Sequence, residues 1–142
     1  MLAYIIFYYY LCITKLKNLT IMNKQIKTIR EFCQKQIEIL NESIDKLLWS
    51  NDNDLYIILR INTETLFKSS FEMKIYQSFL EVDNDNDLIS LIEHYLKTIE
   101  TQTYGNIMPS TTSMIMNITA VWKMEVMFSM KKTLERWMNY LK

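Results

Sequence analysis

The chain is 142 residues long, 49% apolar and 23% charged, with 16 basic and 16 acidic side chains that cancel. That length suits one domain, the apolar content excludes a disordered chain, and one Gly with one Pro are too few for the tight turns of a sandwich or barrel. Only three of the basic residues are Arg, which argues against the phosphate forks of a nucleic-acid interface.

The charges are unevenly placed. Residues 1–37 carry six basic and one acidic side chain, residues 38–100 five and thirteen, and residues 101–142 five and two. Scarce Gly, Pro, Ala and Arg beside abundant Ile, Asn, Tyr and Lys is the imprint of codon pressure in an AT-rich genome. Cys12 and Cys33 are too few for a disulfide framework and read as reduced thiols of a cytoplasmic protein.

Residues 1–21 form a segment apart from residues 22–142. Its apolar run, MLAYIIFYYYLCI, ends at Lys15 and Lys17. As a helix it would reach about 20 Å against a hydrocarbon core of about 30 Å, so it does not span a membrane alone. It has neither the leading positive charge nor the small residues of a signal peptide, and Leu11 before Cys12 excludes a bacterial lipidation site. Three readings remain: sequence upstream of a true start at Met22, a packed element of the domain, or an interfacial anchor in which Tyr and Phe sit at head-group depth and Lys15, Lys17, Lys24 and Lys27 meet anionic lipid.

From Met22 the apolar positions take helical spacing. Ile26, Ile29, Cys33, Ile37, Leu40, Ile44 and Leu47 recur every three or four residues, which predicts one long amphipathic helix over 22–50. NDNDL then occurs twice, at Asn51–Leu55 and Asn84–Leu88, and both copies read as helix-to-helix turns in which Asn and Asp cap the next helix. Between them, Ser69 and Ser70 are the expected break between helices over 54–69 and 70–82. Leu88, Leu91, Ile92, Tyr95, Leu96 and Ile99 predict a helix over 86–101, and the loop after it holds Gly105 and Pro109. The last helix, over 111–141, begins apolar on nearly every side and becomes one-faced after Lys131. The sum is an all-α, single-domain bundle of five to six helices with a hydrophobic C-terminal helix, central to the bundle or seated in a partner's groove.

The constellations that could carry chemistry fall short. His94 is the only histidine, without partners for a triad or a two-His metal site. Asp83, Asp85 and Asp87 have the spacing that opens a calcium loop, but Leu88 and His94 stand where that loop needs Gly and Glu. Glu38, Glu42 and Asp45 could place carboxylates around Mg²⁺ for nucleotide hydrolysis, yet the paired ExxE of such enzymes is missing. No catalytic residue, metal ligand or cofactor is assigned. Asn18, Asn41 and Asn117 open N-x-S/T triplets of the kind an Asn-rich chain produces by chance.

Six of the ten methionines lie on the last helix, interleaved with Trp122, Phe128 and Trp137. Such a surface suits helix-in-groove recognition, and equally suits a core built without Ala and Gly. The functional expectation is therefore a non-enzymatic protein-binding or regulatory protein, an accessory protein of a virus or mobile element. Trp122, Met124, Met127, Phe128 and Met130 are its expected contact residues, toward a protein partner or a symmetric second copy. A peripheral membrane protein using residues 1–21 and a carboxylate-dependent Mg²⁺ nucleotide hydrolase are the two alternatives.

Overall fold

The computed structural model describes residues 2–49, 55–101 and 114–142. They form four helices, α1 (Leu2–Trp49), α2 (Leu55–Glu81), α3 (Asp85–Thr101) and α4 (Met114–Leu141), with no strand among the described residues. The all-α bundle is as expected; the number of helices is four and not five to six.

Two expected boundaries are absent, each for a local reason. Residues 2–21 run into the next element without interruption, so α1 is 48 residues long, or about 72 Å at the usual rise. Starting a helix is costly but extending one is not, and nothing between Leu2 and Trp49 is Gly or Pro. Ser69 and Ser70 do not end α2 either. The Phe67 and Phe71 rings stack across them at 6.5 Å, and Lys68 pairs with both Glu64 on its own helix and Glu125 on α4. A pair of serines costs a helix only a few tenths of a kcal/mol each, less than these neighbours return.

The core follows the spacing read from the sequence. Ile26, Ile29, Cys33 and Ile37 of α1 are buried against Ile75, Tyr76 and Phe79 of α2, with Leu88, Ile92 and Ile99 supplied by α3. Phe79 is fully enclosed, with Tyr95 of α3 edge-on at 5.4 Å and Trp137 of α4 at 5.5 Å. The C-terminal helix is central: α4 packs against each of the other three, whereas α3 leans chiefly on α4 and α1 chiefly on α2. This placement accounts for the buried Met124, Val126, Met127 and Met130, because a helix packed against three others buries apolar side chains on more than one face.

Polar groups close the ends. The Arg30 guanidinium donates to the carbonyl oxygens of Val82 at 2.7 Å and Leu80 at 3.4 Å, so α1 caps the C-terminal end of α2. Asn84 caps α3: its Oδ1 accepts from the Asp87 backbone N–H at 2.8 Å while its side-chain amide donates to the Asp87 carboxylate. The second NDNDL copy is thus a helix-starting turn. The first copy and the loop holding Gly105 and Pro109 lie outside the described residues.

Candidate functional site

Arg30 marks where α2 ends alongside α1, and α4 ends at Leu141 with Tyr140 beside Lys24. α2 therefore closes at the level of Arg30 and α4 near Lys24, and Met22 is half-buried against the core. Before it, residues 9–21 of α1 are exposed throughout, an arm of about 20 Å among the described residues.

On this arm every described large apolar side chain is exposed, including Tyr9 (70%), Leu16 (63%) and Leu19 (54%). Tyr9, Tyr10, Leu11, Cys12 and Ile13 are consecutive and all exposed. Five residues turn through more than a full helical turn, so the arm is apolar around its circumference there. Each such side chain left in water forgoes roughly 1.5–3 kcal/mol that burial would contribute. Contiguous apolar surface of this kind marks a place where something docks.

The arm also prolongs a seam. Ile5, Cys12, Leu19, Ile26, Cys33, Leu40 and Leu47 fall seven residues apart, an unbroken apolar heptad position along all of α1. Inside the bundle Ile26 and Cys33 are buried; on the arm Cys12 and Leu19 are not. Sequence reading missed this continuity because it treated residue 21 as a boundary.

A concavity of about 410 Å³ lies between α1 and α4, lined by Phe32, Trp137 and Tyr140 together with Lys24 and Arg136. No acidic side chain lines it. Phe32 and Trp137 meet edge to face at 5.7 Å, so the groove is shallow above a packed aromatic floor.

The residues expected to meet a partner on α4 divide. Met124, Met127 and Met130 are buried within the chain's own bundle, Trp122 is half-buried with its ring 5.5 Å from Phe67, and Phe128 is 37% exposed. The bundle thus uses most of the apolar width that pointed to a groove. Glu38, Glu42 and Asp45 are all exposed on α1, and His94 is exposed on α3, 6.0 Å from the ring of Tyr95. Among the described residues, no three His, Cys, Asp or Glu side chains are disposed to share a metal ion. Asp87, one of the three alternating aspartates, is engaged in the α3 cap.

The perturbed titratable groups lie in the bundle. Burial pushes the Cys33 thiol up to about 12, only partly opposed by Arg30, so it stays protonated and inert. Glu72 is raised by burial, against a hydrogen bond from Tyr76 that lowers it, and Tyr76 is raised by burial and then by the Glu72 charge. Cys33, Glu72 and Tyr76 adjoin across α1 and α2 and are packed side chains with no open cleft among them. Among the described residues, no helix is long and apolar enough to cross a membrane. No protein-family model, curated protein or solved structure matches the chain.

Proposed function

We propose that this chain is a non-enzymatic interaction protein, a helical bundle that presents an apolar helical arm for docking. The observation that carries this reading is the exposure of residues 9–21 of α1, where apolar side chains outnumber polar ones and neither α2 nor α4 reaches. A helix of this length and apolarity is costly to keep in water unless covering it is its use. The bundle is the rigid body that holds the arm, and α4 adds exposed apolar surface at Ile118 and Tyr140. An accessory or regulatory role, such as a virus or mobile element employs, fits a protein whose contribution is attachment.

The test uses the full chain carrying Leu16→Asp and Leu19→Asp together. Both positions are exposed, so the variant should keep its helical content and Tm while losing whatever association the unaltered chain shows by light scattering and on lipid or protein surfaces. A variant that associates as the unaltered chain does, or an unaltered chain that associates with nothing, overturns the reading.

A further inference from the structure

We infer that the surface the arm meets is an anionic lipid bilayer, on which α1 lies in the interfacial plane with residues 9–13 sunk among the acyl chains. This inference rests on the docking reading above and names its occupant.

Two observations favour lipid over another helix, and a third, at the threonines, suits either, since Thr28, Thr98 and Thr101 outside the arm share it. First, Tyr9 to Ile13 are exposed on every side of the helix. A partner helix covers one narrow stripe, whereas the apolar layer of a bilayer interface covers a much wider arc of the helix. Second, no acidic residue occurs before Glu31, while Lys15, Lys17, Lys24 and Lys27 follow the apolar run and are all exposed. Two copies of such a segment repel each other side by side, but anionic head groups attract it. Third, the arm's threonines turn their hydroxyls inward. Thr14 donates to the Tyr10 carbonyl at 2.8 Å and Thr20 to the Leu16 carbonyl at 2.9 Å, which removes two polar groups that an apolar surrounding would otherwise leave unmet.

The orientation follows from the same chemistry. No described helix is long and apolar enough to cross a bilayer, and an arm lying in the interface need not cross: the Tyr9 and Tyr10 rings sit in the apolar layer with their hydroxyls at head-group depth.

Cys12 supplies the experiment, because it sits within the apolar turn and is exposed, while Cys33 is buried and serves as a silent control. The full chain is treated with a water-soluble maleimide alone, with phosphatidylcholine vesicles, and with vesicles containing phosphatidylglycerol. Phosphatidylglycerol vesicles should slow Cys12 labelling by at least about tenfold, given that each lysine near an anionic surface favours binding about fivefold. Pure phosphatidylcholine should protect far less, raising the salt to about 0.5 M should remove most of the difference, and Lys15→Gln, Lys17→Gln and Lys24→Gln together should abolish the preference. Equal protection by both vesicle types, or none by either, overturns the lipid assignment. If Cys12 is instead protected without vesicles as protein concentration rises, and Leu16→Asp removes that protection, the occupant is a second copy: the lipid inference fails and the docking reading stands. Labelling that is the same in every condition overturns both.

Discussion

Leu19 and Ile26 stand seven residues apart at the same heptad position of one uninterrupted helix, yet Leu19 is 54% exposed and Ile26 is 3% exposed. Nothing in their immediate sequence explains the contrast. Ile26 belongs to the buried core cluster, beside Lys24 and Gln25 that adjoin the last turns of α4; Leu19 lies about two turns further from the Arg30 cap that closes α2 and beyond the end of α4. Burial here belongs to the neighbours and not to the helix. The two halves of α1 therefore differ in surroundings, one packed into the bundle and the other exposed.

The largest effect that can separate these halves comes from the core. Phe79→Ala removes a ring enclosed between α3 and α4 and should cost about 3–5 kcal/mol in denaturant unfolding. Within α1 itself, Ile26→Ala should cost about 2–5 kcal/mol and Leu19→Ala no more than about 0.5 kcal/mol. A loss of several kcal/mol at Leu19 would show that the arm is covered inside the folded chain, and the contrast would collapse.

The Arg30 cap comes next. Arg30→Gln should destabilise by about 1.5–3 kcal/mol, the usual worth of a hydrogen bond to a charged group, because two carbonyls at the end of α2 lose their donor. Hydrogen exchange should show the last turn of α2 opening first. Removing residues 1–21 should do less, leaving a bundle of unchanged fold whose Tm moves little, since no described side chain of that segment belongs to the core. A truncated chain that melts much lower would make the arm a structural element.

The smallest effect is electrostatic. Burial raises the Glu72 carboxyl above its unfolded value, so over the pH window between the two values the folded state holds a proton that the unfolded state has released. Stability contributed there falls as pH rises through the folded value. Glu72→Gln keeps a partner for Tyr76 and should slightly raise Tm at neutral pH while flattening its fall between acid and neutral pH. A variant less stable at neutral pH would mean that the Tyr76 hydrogen bond outweighs desolvation.

Much of the bundle was legible before any coordinates. The three-and-four spacing named the buried face of α1 from Ile26 to Ile37, with Leu40, Ile44 and Leu47 only half-buried, and Asn84 was legible as a cap because its short side chain can reach a free N–H at a helix start. Less was legible where competing local terms are small. The serine pair at Ser69 and Ser70 read as a break because its own preference is all that a sequence displays, whereas the Phe67–Phe71 stack and the Lys68–Glu125 pair depend on a helix being present and on α4 lying beside it. The methionines of α4 were ambiguous for the same reason: Met124, Met127 and Met130 are equally suited to a core and to a groove, and only their neighbours choose.

By itself, the amino-acid sequence determined that the chain is helical, which residues share a helix face, and that its N-terminal stretch is apolar, aromatic and backed by lysines. Periodicity and composition are properties of the covalent chain, and they act over a few turns. Only the tertiary structure decided that this stretch is one helix with the element after it, that α4 packs against each of the other three helices, and that α2 and α4 both end before covering the arm. Those outcomes depend on where separate helices stop relative to one another in space, a length-matching that no local pattern along α1 contains.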